Sequence, residues 1–128
     1  MAGRVVHFEV PFDDVERATG FYQDVFGWQI TPMPEFDYHG VSTGPTGDQG
    51  MPTEPGYIGG GMFKRAPNFP SSPVIVIDVD DIDATLEQVA ARGGSTIAKK
   101  MPVGAMGFAA YFTDPEGNVM GLWETASG

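Results

Sequence analysis

A shift of 67 residues, from Asp13 to Asp80 for instance, carries Asp13-Asp14-Val15-Glu16 onto Asp80-Asp81-Ile82-Asp83, Phe8 onto Ile75, Val10 onto Ile77 and Gly27 onto Gly94. Self-similarity at about half the chain length implies two copies of one supersecondary unit, each obeying the same local rules. The chain has 128 residues, a length over which one core is normally spread. Both copies are therefore expected within a single domain over 1–128, with one module over about 4–63 and another over about 74–124. Between them Lys64 to Pro73 carries Pro67, Pro70 and Pro73 and reads as a connector.

Within the first copy, residues 4–10 alternate, with Val6, Phe8 and Val10 on one face and Val5, His7 and Glu9 on the other, which is strand periodicity. Asp13 then offers an N-cap with Glu16 three residues on. Val15, Ala18, Phe21, Tyr22 and Val25 recur at helical spacing up to Gly27, so a helix is predicted over 14–26. Gly20 in its middle weakens it by about 1 kcal/mol relative to Ala. Strands follow at 28–31, 36–43 and 57–63. The stretch from Thr43 to Gly56 lacks periodicity and reads either as a hairpin tip or as a lid or binding loop.

The second copy repeats the order. A strand at 74–79 precedes Asp80-Asp81 and the helical positions Ile82, Leu86, Val89 and Ala90, which end at Gly93-Gly94. Strands at 96–102, 107–113 and 118–124 complete it, the last two joined by the turn Asp114-Pro115-Glu116-Gly117-Asn118.

Composition removes several function classes. A formal net charge of −10 is repelled by phosphate backbones, so no nucleic-acid partner is expected. The absence of Cys removes disulfides, thiolate metal sites and Cys nucleophiles, and makes a cytoplasmic location the expectation. No apolar run approaches a membrane span and no secretory leader is visible, so no membrane partner is expected either. Gly-x-Ser-x-Gly, the phosphate-loop motif and a dinucleotide fingerprint are all missing.

Four segments, in order on the repeat, resemble the vicinal oxygen chelate superfamily of glyoxalases, bleomycin resistance proteins and extradiol dioxygenases. They are His7-Phe8-Glu9-Val10 with Asp13-Asp14, Phe21-Tyr22-Gln23-Asp24-Val25-Phe26-Gly27-Trp28, Ile77-Asp78-Val79-Asp80-Asp81-Ile82-Asp83-Ala84, and Phe112-Thr113-Asp114-Pro115-Glu116-Gly117-Asn118-Val119. The resemblance implies an α+β fold of two βαβββ modules forming an incomplete barrel, a cup open to ligand, commonly as a homodimer. It also implies metal ligands on the first and fourth strands of each module in the metal-dependent members. Here His7 fills one such position, Val74 and Gly121 fill two others, and Ile58 to Phe63 offers no His, Glu, Gln or Asp. A lone imidazole does not hold a divalent cation, so no metal and no cofactor are expected. Glu124 lies three residues past Gly121 and points to the other face of a regular strand. A site assembled from His7, Glu9 and His39 has the residue types but no supporting spacing.

With Thr113 paired to Val119, Tyr111 lies opposite Gly121 and shares a face with Trp123, while Phe112, Met120 and Leu122 turn to the helices. Candidate ligand-binding residues are then His7, Glu9, Gly60, Tyr111, Gly121 and Trp123, with Gly59 to Gly61 leaving room at the backbone. His7 and Glu9 are also the candidate catalytic pair. Each has a plainer reading: His7 as a strand histidine bonded to Glu9, Glu9 as half of a structural pair, Tyr111 and Trp123 as core aromatics. The expected function is binding of a small molecule, cationic or amphiphilic given the acidic surface, by a homodimer. An enzyme of the superfamily, metal-independent or metal-dependent, and a structural or regulatory domain with a filled cup are the alternatives.

Overall fold

The computed structural model describes residues 3–47, 50–67 and 69–127. Two compact units divide the chain: one comprises His7–Arg65 with Ser71–Pro73, the other Val74–Gly128 with Met1–Val6 and Ala66–Pro70. The division falls between Val6 and His7 and in and around the Pro-rich connector.

The first unit holds β1 (Val5–Phe12, from His7 on), α1 (Val15–Phe26), β2 (Gln29–Met33), a short 3-10 turn at Pro34–Phe36, β3 (Tyr38–Ser42) and β4 (Gly60–Lys64). Its strands lie in the order β2-β3-β4-β1, antiparallel except for the parallel pair β1 and β4. The second unit holds β5 (Val74–Asp78), α2 (Ile82–Ala91), β6 (Ser95–Val103), β7 (Gly107–Thr113) and β8 (Val119–Thr125), in the order β5-β8-β7-β6 with β5 and β8 parallel. Each unit is thus βαβββ, and the expected doubling of one motif is present.

Local differences from the sequence reading have physical causes. The N-cap of α1 is Asp14, whose carboxylate accepts from the Arg17 N–H, whereas Asp13 makes an ion pair with Arg65 at 3.0 Å. In the second unit Asp81 caps α2 through the Ala84 N–H. Gly27 takes φ 73°, the left-handed conformation that ends α1. No described residue lies within 4 Å of where a Cβ on Gly20 would stand, so no contact explains it. The strand expected from residue 57 begins at Gly60, and the one expected from residue 36 begins at Tyr38 because Pro34 starts a 3-10 turn. Within the 43–56 stretch, Thr46 bridges Pro52 and the Tyr57 hydroxyl donates to the Pro45 carbonyl; Asp48 and Gln49 lie outside the described residues.

The helices use their apolar faces differently. Ile82 and Leu86 of α2 are buried against Ala110, Phe112 and Leu122, with Met120 beside them, as the strand parity predicts. In α1 no residue is buried: Ala18 and Tyr22 pack on Phe12, Val41 and Met62, while Phe21, Val25 and Phe26 stay more than half exposed. The Tyr22 ring stacks on Trp28 at 4.6 Å between centroids, so aromatic contact anchors α1. No described helix is long and apolar enough to cross a membrane.

The repeat partners Val15 and Ile82 should therefore differ in energetic weight. Ile82→Ala removes a side chain with no exposure and is expected to cost about 3 kcal/mol, against less than about 1 kcal/mol for Val15→Ala at 37% exposure. Urea unfolding of the two variants measures both values.

Candidate functional site

Strand parity in β1 places Phe8 and Val10 toward α1 and leaves His7 and Glu9 on the opposite face. Glu9 is 7% exposed, and a carboxylate so placed needs hydrogen-bond donors. The Tyr38 hydroxyl donates to Glu9 Oε2 at 2.7 Å and lies 2.9 Å from His7 Nε2. The His7 and Tyr38 rings lie nearly parallel, 18° apart with centroids at 6.5 Å. Three side chains from β1 and β3 thus form one hydrogen-bonded chain, Glu9–Tyr38–His7.

Register explains how Tyr38 reaches across an intervening strand. Glu9 pairs with Gly61 of β4, and Gly61 pairs with Gly40 of β3. Tyr38 sits two residues before Gly40 on the same face, so its ring must pass over Gly61 to reach β1. A Cβ on Gly61 would overlap the Tyr38 hydroxyl. The glycine run anticipated as space for a ligand is, at Gly61, space for the protein's own tyrosine.

Gly60 requires a correction. It pairs with Phe8, and a Cβ there would strike the Phe8 ring, so Gly60 belongs to the α1 side and its space is filled by Phe8. His39 likewise departs from the His7 and Glu9 grouping. It is next to Tyr38 in β3 and so turns to the other face, edge-on to Phe12 at 5.8 Å.

In the second unit Tyr111 pairs with Gly121 and Thr113 with Val119, as expected. Tyr111 is buried with Val74 and Val76, and Ala98, Met101 and Trp123 pack against them; the Phe69 ring meets Tyr111 edge-on at 6.1 Å. Trp123 Nε1 donates to Thr125 Oγ1 at 3.1 Å. Tyr111, Gly121 and Trp123 therefore share one face of their unit.

The metal positions implied by the resemblance can be tested on these side chains. Val74 is a fully buried aliphatic residue, Gly121 lies against Val76 and Tyr111 with no side chain to offer, and β4 carries Gly60, Gly61, Met62 and Phe63. Glu124 accepts from the Ile82 N–H at 2.8 Å and pairs with Lys100 at 3.1 Å, which commits it to the start of α2. Those contacts hold its carboxyl below the usual carboxylate range, the Ile82 N–H foremost. Among the described residues no three or more His, Cys, Asp or Glu side chains are placed to hold an ion. The residues present do not fit the family's metal.

Comparison with known proteins agrees with this architecture. Residues 4–44 match the family model described as bleomycin resistance protein-like N-terminal. A structure of a glyoxalase/bleomycin resistance protein/dioxygenase superfamily member from Vibrio splendidus 12B01 superposes with a TM-score of 0.61 at 17% identity, covering 97% of this chain and 99% of that one. A glyoxylase-like domain-containing protein of Didymella fabae is 33% identical over 120 residues, covering 91% of this chain and 89% of the relative. The putative glyoxylase CFP32 of Mycobacterium bovis is 31% identical over 115 residues, which is 87% of this chain but 41% of CFP32. The fold is that of the glyoxalase and bleomycin resistance proteins. The chain belongs to the glyoxalase/bleomycin resistance/dioxygenase superfamily.

Tyr38 is the site residue that the sequence reading lacks. The sequence offers only an aromatic two positions before Gly40, and the pairing of β3 with β4 that gives it meaning is a register between strands distant in sequence.

Two outcomes follow from the geometry. Gly61→Ala should displace Tyr38 from Glu9 and cost about 1–3 kcal/mol, read by urea unfolding. Burial holds His7 below its ordinary value of 6.5, and the charge of Glu9 opposes this less strongly. Below about pH 6.5 the unfolded chain takes up the His7 proton more readily than the folded one. Stability should thus be full above that pH and decline as pH falls toward the folded-state pKa. His7→Gln should remove that portion of the slope, and denaturation midpoints collected across pH check it.

Proposed function

We propose that this protein binds a small molecule without a metal ion, using His7, Tyr38 and Glu9 as its polar handle. The observation that carries the reading is the Glu9–Tyr38–His7 chain, in which a 7%-exposed carboxylate is joined through one hydroxyl to an imidazole. Side chains at that burial are retained either for structure or for a ligand. The same trio in a family built around ligand-binding modules favours the ligand. The acidic surface favours cationic or amphiphilic ligands by long-range attraction, and the absence of Cys suits a cytoplasmic setting.

A homodimer is the assembly we propose with this function. β2 and β6 end the strand order of their units, and the α1 residues Phe21, Val25 and Phe26 present an apolar surface that a second copy would cover. A metal-independent acid–base enzyme is the second reading, supported by a neutral imidazole linked to a carboxylate through a hydroxyl.

The test has two arms. Zinc, nickel, iron or manganese at saturating concentration should leave the melting temperature unchanged, because a ligand at 100 times its Kd would add about 2.7 kcal/mol. A fragment screen mapped by amide chemical shifts should place bound compounds at His7, Glu9 and Tyr38. One equivalent of metal surviving dialysis and lost in His7→Ala, or fragments mapping only elsewhere, would overturn the reading.

A further inference from the structure

Hydrogen-bond polarity in the Glu9–Tyr38–His7 chain fixes more than position. The Tyr38 hydroxyl donates its single proton to Glu9 Oε2. With that proton given to Glu9, the Tyr38 oxygen accepts from His7 at 2.9 Å, which assigns a proton to Nε2. A neutral imidazole carries one proton, so Nδ1 is left as a lone-pair acceptor. Nδ1 makes no hydrogen bond to any described residue, and His7 is only half-buried.

We propose that His7 Nδ1 is the ligand-reading atom of this site, and that the site selects ligands presenting an N–H or O–H donor, such as a carboxamide, over isosteric carboxylates. This rests on the binding function proposed above and names the ligand class. A carboxylate would bring lone pairs to an atom that only accepts, and would add negative charge beside Glu9 and within a chain of net charge −10. A carboxamide N–H meets the lone pair directly. Tyr38 acts here as a positioning residue, since it reaches the ligand only through the tautomer it imposes on His7. The burial that keeps the imidazole neutral works in the same direction.

Long-range proton–nitrogen correlation on nitrogen-15-labelled protein at mildly alkaline pH tests this without a known ligand. The free protein should show His7 as the Nε2–H tautomer, and Tyr38→Phe should turn it into a tautomer mixture. Titration then uses two matched pairs, benzamide with benzoate and indole-3-acetamide with indole-3-acetate. Each amide should shift the His7 Nδ1 resonance and bind at least about tenfold tighter than its carboxylate. An Nδ1–H tautomer in the free protein, or carboxylates that bind as tightly as their amides, would overturn this inference and leave the binding function standing. With the tautomer as stated, a His7 ring that no member of either pair shifts up to its solubility limit would overturn the binding function itself.

Discussion

A carboxylate with 7% exposure is the constraint around which the first unit is organised. Leaving Glu9 so buried without a donor would cost several kcal/mol, and the residues around it are those that avoid the cost. Tyr38 supplies the hydroxyl from β3. Reaching Glu9 from there means crossing β4, which is possible because Gly61 carries no side chain at the crossing point. One buried carboxyl group thus accounts for residue choices on β3 and β4.

The two units solve the same folding problem and then diverge. In the second, both sheet faces are apolar: Ile82, Leu86, Phe112 and Leu122 on the helix side, and Val74, Val76 and Tyr111 on the other. In the first, the helix side is apolar through Phe12, Val41 and Met62 while the other side carries His7, Glu9 and Tyr38. The repeat is therefore a repeat of backbone and helix-side packing. The positions that would bring metal chemistry to the second unit hold Val74 and Gly121, and the acidic side chain nearest to that role, Glu124, is spent on the Ile82 N–H and Lys100.

Much of this was legible in the sequence because it depends on local periodicity. The alternation in residues 4–10 separates Phe8 and Val10 from His7 and Glu9, and the turn at Asp114 to Asn118 places Tyr111 opposite Gly121. What was not legible depends on register between strands distant in sequence. Whether Gly60 or Gly61 shares a face with Glu9 turns on a one-residue offset between β1 and β4, and such an offset exchanges the faces of a strand. Tyr38 lies 29 residues from Glu9, and nothing in either local pattern joins them. The exposed side of α1 is a further case, since the helical spacing of Phe21 and Val25 shows an apolar stripe without showing what covers it.

The first unit depends on an energetic coupling between Glu9 and Tyr38, and a double-mutant cycle of Glu9→Gln, Tyr38→Phe and the combined variant measures it by urea unfolding. A hydrogen bond from a hydroxyl to a buried carboxylate predicts a coupling of about 1.5–3 kcal/mol. Single-variant losses that add to within about 0.5 kcal/mol would contradict it, and would make Tyr38 a neighbour of Glu9 rather than its partner.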